Sequence, residues 1–450
     1  MISQSAFLHE PARDVPVWGK YDLCVLGGSC TGVFAAVRAA RLGLSVAIVE
    51  RLGCFGGVAT LSLVNVWHSP LDEIFEKPVL AGLTIELMER LKRRGSVTVR
   101  ERSPHWAWAF NSAEMQIELD ELVREHRIAP WLHTAFAAPH VEDGRLAAVL
   151  VETKSGRGAL RARFFIDATG DGDLCHRLGL ETYRSAHRQP STTCALFSGW
   201  AGLGSTDWQK LVRDHGADYG LPEGFAWGVT VPGSDLYMLA GTRVYPDCST
   251  AEGLAAAEIE GRRQVRAIQD LLRRHAPEAR ISLQGLPARL GIRETRHVRC
   301  LHQLTGDELL AGRHFPDAIA NGSYRVDIHH DDKPGLTFRY LDGRQSFIRP
   351  GFPPVEDRWR PASRENPTYY QIPYRSLVPR GPHGNVLAAG RFIDADELAH
   401  GAIRVMVNLN QTGEAAGVAA TLALKQGRRA AEVDPAELRG ALAEGGSIML

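Results

Sequence analysis

The hexapeptide Gly27-Gly28-Ser29-Cys30-Thr31-Gly32 follows the apolar run Tyr21–Leu26 and opens the alanine-rich stretch Val33–Leu44. A glycine turn between a strand and a helix suits one kind of chemistry: its backbone N–H groups and the helix dipole hold a pyrophosphate. Gly27 permits the tight turn and Gly32 lets the helix approach the sheet closely. Ser29 stands where the pattern has its middle glycine, and it is small enough to leave that chemistry intact. A second apolar run, Ser45–Val49, ends in Glu50, an acid placed to hydrogen-bond a ribose diol. Strand, turn, helix, strand and acid fall in order within roughly 30 residues, the context in which the motif binds a dinucleotide. The further pair Gly56-Gly57 comes soon after the acid. A nicotinamide domain has no need of it, whereas bare backbone suits a chain passing beside a bulky flat ring such as an isoalloxazine. The expected cofactor is therefore FAD.

Hydride exchange with a flavin must be coupled to proton movement on an alcohol, amine or activated carbon. Imidazole titrates near neutrality, which makes His329 and His400 the candidates for that proton; either could equally be a packed structural histidine. His68, with Val66, Trp67 and Pro70 around it, suits a core edge as well as a site, and His330 points away from His329 if the segment is a strand. Arg293 and Arg296 lie three residues apart. As a guanidinium pair they suit a carboxylate or a polyhydroxylated substrate, and as separate groups they suit salt bridges between domains. Asn65, Trp67, Asp327, Tyr374 and Arg375 complete the polar residues expected to converge on the ring.

These groups need elements to position them. Two distant segments, Phe164–Asp173 and Asn385–Asp394, read as strands ending in glycine with an acid nearby, and a single helix-like run, Ala402–Leu424, follows the second. Gln116–Arg127 repeats apolar residues at helical spacing, Trp131–Phe136 reads as a strand, and Asp143-Gly144 as a hairpin turn. The strand-like runs Thr192–Trp200 and Leu236–Tyr245, with the charged helical stretch Ala251–Ala276, indicate an inserted α+β unit.

On these motifs the chain resembles the FAD-dependent oxidoreductases of the glutathione-reductase-like superfamily with two dinucleotide-binding domains, related to fumarate-reductase-like flavoproteins. The resemblance runs from about Tyr21 to Ala420 and takes in Leu290–Arg296, Tyr324–His329 and Ile372–Pro379. It implies an α/β fold: a discontinuous Rossmann-like FAD-binding domain of glutathione-reductase type with an inserted α+β substrate domain. Residues 1–60, 111–184 and 368–426 would form the first, 61–110 and 185–367 the substrate or cap domain, and 427–450 a surface helix with a loose tail. It further implies that Gly27, Gly28, Ser29, Thr31 and Gly32 hold the pyrophosphate, and that Glu50 and Arg51 hold the adenosine end, with Phe136 on the strand that meets adenine. Gly56, Gly57 and Val58 would run beside the flavin, and Thr169 and Gly170 would close over it. Gly390, Arg391 and Asp394 would meet the ribityl and pyrophosphate region, and Arg404, Val405 and Met406 would lie near the ring. Disulfide reductases of this superfamily carry two cysteines just after the glycine pair. Here Cys54 has no partner and is either an inert thiol or flavin-facing.

Length and composition agree with such an enzyme. The 450 residues suggest two or three domains, and 44% apolar content provides a sizeable core. Fifty-two basic residues balance 52 acidic ones, which gives no electrostatic footprint for nucleic acid or an anionic membrane. The sequence shows neither a leader pattern nor a run of ~20 apolar residues, so a cytoplasmic location is expected. Seven scattered cysteines without a CxxC pair favour neither a metal site nor disulfides. The reading is an FAD-dependent oxidoreductase, an oxidase or dehydrogenase, acting on a small polar substrate that bears a hydroxyl, amine or carboxylate. No second glycine-turn domain is visible, so electrons are expected to pass to oxygen, a quinone or a protein. The alternatives are reduction of an activated double bond, or action with a macromolecular partner in tRNA modification or electron transfer.

Overall fold

Leu23 and Val25 belong to one buried apolar cluster while Cys24 and Leu26 belong to another, so the strand that carries them is covered on both faces. Such a strand belongs inside a parallel sheet. In the computed structural model, which describes residues 10–100 and 102–450, the central sheet collects β1 (Val17–Leu26), β2 (Val46–Val49), β3 (Ala129–Trp131), β4 (Ala135–Glu142), β5 (Arg145–Thr153), β6 (Gly156–Asp167) and β7 (Val386–Ala388). The order is β3-β2-β1-β6-β5-β4. β1 runs parallel to β2 and β6, and β2 parallel to β3. β5 covers one edge of β6 at residues 156–161, and β7 takes that strand further along, at Phe165–Asp167. This is the expected α/β architecture with a Rossmann-type core. Residues 1–9 and 101, within segments assigned above, lie outside the described residues. The expected strand Trp131–Phe136 is divided by a turn between β3 and β4. The hairpin turn at Asp143-Gly144 has φ of 49° and 74°, the left-handed pair that a two-residue turn requires.

Helix α1 (Cys30–Arg41) starts from Ser29, whose side chain accepts from the Gly32 N–H. A Cβ on Gly32 would sit 1.9 Å from the Gly27 carbonyl, so only glycine lets α1 begin this close to the end of β1.

The central stretch of the chain forms further sheets around the helix α2 (Ala251–His275). Trp227–Thr230, Tyr237–Ala240, Cys194–Ser198 and Ser282–Gly285 make a four-stranded antiparallel sheet. Alternation along one strand places Ala195 and Phe197 on Val265, Ile268 and Leu272 of α2 and leaves Cys194 on the opposite face. A meander of Val326–His329, Leu336–Arg339, Arg344–Ile348 and Val355–Arg358 stands beside it. Leu290–Arg296 is neither helix nor regular strand.

Two elements differ from the sequence reading. The run expected as one helix from Ala402 is two, α3 (Glu397–Ile403) and α4 (Met406–Gln426), broken at Val405, whose ψ of 142° is extended. Gly413 and Gly417 place α4 so close to α1 that a Cβ on either would strike the carbonyl of Thr31 or Ala35 at about 2 Å. The C-terminal tail is docked rather than loose. Helix α5 (Pro435–Glu444) buries Leu438 and Leu442, buried Arg38 donates to the carbonyls of Leu442 and Gly445, and Asn321 and Gln371 donate to those of Ile448 and Leu450. Among the described residues no helix is long and apolar enough to cross a membrane.

Candidate functional site

A cavity of about 630 Å³ opens where α1 leaves β1 and runs under the inserted sheets. At its sheet end the wall is Gly27, Ser29, Thr31, Glu50, Thr169 and Gly170. Gly56, Gly57, Val58, Gly390 and Arg391 follow, and Arg404, Val405 and Met406 border it at the helix break. Five of the residues expected to hold the cofactor, Gly28, Gly32, Arg51, Phe136 and Asp394, lie outside the lining. The N–H of Gly28 is already donated to Glu50 Oε2 at 2.8 Å, so this glycine holds the acid in place and offers nothing to a ligand. Glu50 Oε1 accepts from the Leu52 N–H at 2.9 Å, which fixes the carboxylate at the rim of the cavity. Gly32 serves packing. Arg51 and Phe136 do not reach the cavity, and the Arg177 guanidinium lies 5.7 Å from the Phe136 ring. Asp394 is fully buried, accepting from the Tyr183 hydroxyl and the Cys300 N–H, each at 2.8 Å. Cys54 does not line the cavity either, whereas Cys30 and Cys194 do.

The acid the sequence left without a role is Asp171. It accepts from Arg289 at 2.9 Å, from Thr295 at 2.8 Å and from Arg391. Burial alone would raise its carboxyl, but the two guanidiniums outweigh that and hold it well below the usual range. Arg289 and Arg391 thereby present charge to the cavity. The Nε atoms of Arg289, Arg391 and Arg404 are buried without a hydrogen-bond partner among the described residues.

The far end is organised around Asp327. Charged residues alternate with apolar ones through Arg325, Val326, Asp327, Ile328 and His329, so strand periodicity puts the three polar side chains on one face, and all three line the cavity. That alternation is the signal by which Arg325 could have been found. Asp327 accepts from the Tyr324 hydroxyl at 2.9 Å and from Arg404 at 3.2 Å, and lies 3.4 Å from His329 Nε2. Burial would raise its carboxyl, yet His329, Arg404 and Arg325 hold it well below the ordinary value. Burial and then Arg293 push His329 down to about 3; burial and then Arg325 do the same to His68. Both imidazoles are neutral at physiological pH, contrary to the expectation that His329 titrates near 7. Burial, with the Asp327 charge, raises the Tyr324 phenol and keeps it protonated.

The two arginines of the sequence reading separate. Arg293 lines the cavity, with burial lowering it to about 10, and donates to the Pro190 carbonyl. Arg296 is spent elsewhere, on Asp173 at 3.1 Å and on the backbone of Asp171 and Ser249. His400 is fully buried behind the wall. Tyr374 and Arg375 also lie outside, the latter paired with Asp317 at 2.9 Å. Asn65 does not line the cavity and donates to the Phe110 carbonyl at 3.0 Å. Among the described residues, seven arginines border the cavity against two carboxylates, Glu50 and Asp327.

A family model described as FAD dependent oxidoreductase matches residues 22–442. Among curated proteins, a mitochondrial dihydrolipoyl dehydrogenase of Schizosaccharomyces pombe is 31% identical over 87 residues, which is 17% of this chain and 17% of that protein. The match thus spans under one fifth of that relative. Among solved structures, a geranylgeranyl bacteriochlorophyll reductase-like protein of Thermoplasma acidophilum is similar over 95% of this chain and 83% of its own, at 12% identity and a TM-score of 0.46. A myxobacterial chondrochloren halogenase is similar over 95% and 80%, at 14% identity and a TM-score of 0.45. A p-nitrophenol 4-monooxygenase of Pseudomonas putida is similar over 95% and 84%, at 11% identity and a TM-score of 0.45.

Proposed function

The chain belongs to the FAD-dependent oxidoreductase family, and on that premise we propose that it exchanges a hydride with a small carboxylate-bearing substrate seated against Arg293, Arg325 and Arg404. The observation that carries the reading is the charge of the cavity: among the described residues, seven arginines against two carboxylates, with the His68 and His329 imidazoles neutral. Guanidinium is the side chain best shaped for a carboxylate.

The residues present fit FAD. Gly27, Ser29 and Thr31 at the start of α1 would hold the pyrophosphate, and Glu50 the adenosine ribose. Arg289 and Arg391 line the cavity with their Nε atoms unpartnered among the described residues, and an anionic group bound there would give these guanidiniums an acceptor. Gly56, Gly57 and Val58 would flank the ring, Thr169 and Gly170 would close over it, and Gly390 would leave room for the ribityl chain. Met406 opens a 21-residue helix without a side-chain cap, so its first N–H groups would meet an electronegative edge of the ring. When bound, FAD supplies the two-electron chemistry, and the chain supplies position and field.

On the substrate side, Arg293 and Arg325 would fix the carboxylate, with the Arg325 guanidinium carbon 4.1 Å from the centre of the Phe338 ring. Trp106 and Trp227 line the same region and would exclude water. Neutral His329 turns Nε2 to the Asp327 carboxylate, which only accepts, so its lone pair is on Nδ1; an anion seated beside Arg293 would raise its basicity, and Nδ1 would then take the substrate proton. Electrons would leave to oxygen, a quinone or a protein. The protonated Tyr324 hydroxyl favours a second reading, in which an unsaturated carboxylate is reduced and Tyr324 delivers the proton.

Anaerobic addition of hydroxy and amino acids to the purified yellow protein, beside their methyl esters, tests the proposal. Bleaching of the flavin absorbance by an acid but not its ester is expected, and equal bleaching by both would refute the carboxylate requirement. Reoxidation of dithionite-reduced protein by an unsaturated carboxylate would select the second reading.

A further inference from the structure

Behind the wall that carries His329 lies a cluster that the cavity does not reach. Glu294, His297 and His400 are 5%, 1% and 0% exposed. His297 Nδ1 is 3.1 Å from the Ile393 carbonyl. A carbonyl only accepts, so Nδ1 carries a proton, and the lone pair of the neutral ring is on Nε2. That atom faces Glu294 Oε1 at 3.2 Å. Glu294 is itself held as an anion, since the Ser185 hydroxyl donates to Oε1 and the Gln189 N–H donates to Oε2 at 3.1 Å. His400 packs edge-on to His297, ring centroids 4.8 Å apart, with Nδ1 3.7 Å from Glu294 Oε2. Neither nitrogen of His400 has a hydrogen-bond partner among the described residues. A carboxylate, an imidazole lone pair and an unpartnered imidazole therefore converge on one buried point, which calls for positive charge.

We propose that Glu294, His297 and His400 bind one divalent transition-metal ion of the zinc class. Imidazole nitrogen and carboxylate oxygen, without a thiolate, form an accepted ligand set for such an ion. The ligand atoms all lie within 4.8 Å of one another. His297 Nε2 stands 3.2 Å from Oε1 and His400 Nδ1 3.7 Å from Oε2, each near the ~3.3 Å edge of a tetrahedron with bonds of about 2.0 Å, so the ion would meet Glu294 through either or both oxygens after a small imidazole rotation. The second shell has the form that metal ligands require: His297 donates its other N–H to a backbone carbonyl, and the carboxylate is hydrogen-bonded on both oxygens. A second cavity, of about 210 Å³, is bordered by Glu294 and Gln189 and gives an ion and its water a route in. The ion would tie α3 to the segment that carries Arg293, so its role is to position that arginine.

The test is zinc uptake by the FAD-loaded protein after EDTA treatment, read by plasma mass spectrometry, chelator competition and melting temperature. The expected result is one tightly held Zn2+ per chain and a raised melting temperature. His400→Gln and His297→Gln, each with an unchanged flavin spectrum, should weaken Zn2+ binding by roughly a hundredfold. His187→Ala, in the exposed cluster with Asp331 and Asp332, should leave it intact. Retention of the tight ion in His400→Gln would overturn the proposal. So would the wild type alone, whether or not either variant folds, by no uptake and an unmoved melting temperature at saturating Zn2+.

Discussion

Asp327→Asn separates the charge of the site from its shape. The amide is isosteric and its oxygen can still accept from Tyr324, so the loss is one negative charge among Arg293, Arg325 and Arg404. Asp327 is 6% exposed, and its carboxyl is held well below the ordinary value. Its stabilisation is therefore complete above the unfolded carboxyl's pKa of about 3.9 and is lost only as pH falls below that. At pH 7 removing one partner of a buried pair costs about 3–5 kcal/mol. For 450 residues the unfolding entropy is about 0.9 kcal/mol/K, so the melting temperature should fall by about 3–5 °C. Binding should move the other way. For a carboxylate seated about 8 Å from the lost charge, at an effective dielectric constant of about 20, the removed repulsion is about 2 kcal/mol, or roughly thirtyfold in affinity. The assay is titration of the oxidised protein with benzoate or a similar unreactive carboxylate, followed by the flavin absorbance shift, alongside a melting curve. Tighter carboxylate binding with a lower melting temperature is expected. Weaker binding would refute the assignment of this end to an anion, because Asp327 would then be holding a cationic part of the ligand.

Glu50→Ala removes the acceptor of the Gly28 and Leu52 N–H groups along with the proposed ribose contact. At about 1.5–3 kcal/mol for a hydrogen bond to a charged group, FAD affinity should drop about ten- to hundredfold, measured by recovery of flavin fluorescence on dilution. His68 and His329, both lowered to about 3 by burial and nearby arginines, are protonated more readily in the unfolded chain between about 3 and 6.5. Stability should therefore rise with pH across that window and fall as the protein is acidified. The urea midpoint at pH 5 should sit below that at pH 7.5, and a His68→Gln/His329→Gln double variant should narrow the gap. An equal gap in that variant would place the acid sensitivity elsewhere.

The features legible in the sequence are those fixed by neighbours along the chain. Gly27, Ser29 and Gly32 announce a strand-to-helix turn because the constraint is local, a φ of 102° at Gly27 and a carbonyl 1.9 Å from where a Cβ on Gly32 would stand. What distance along the chain decides could not be read. The Gly28 N–H is taken by an acid 22 residues away. Asp394 and Asp171 have the same local context, a glycine at a strand end, yet Tyr183 and Cys300 draw one into the interior while Arg289 and Arg391 draw the other to the site. Arg293 and Arg296 look like a pair at helical spacing, but their segment is irregular and sends them to different partners.

The break at Val405 shows how such a long-range effect makes a site. Nothing in Ala402–Leu424 asks for an interruption: there is no proline, and the residues around Arg404 are ordinary helix formers. The interruption must come from tertiary contacts, and these are visible. Arg404 donates to both the backbone and the carboxylate of Asp327 at 3.2 Å, Gly401 lies against the same strand, and Asn408 ties the first turn of α4 to Tyr370 at 2.9 Å. With the chain pinned on both sides, Val405 adopts the extended conformation and α4 begins afresh, without a side chain to satisfy its first N–H groups. A continuous helix would bond those groups internally. Breaking it sets Arg404 and the positive end of a 21-residue dipole side by side on the cavity wall. The anion-favouring character of that wall thus follows from how Asp327 holds the chain as much as from the arginines themselves.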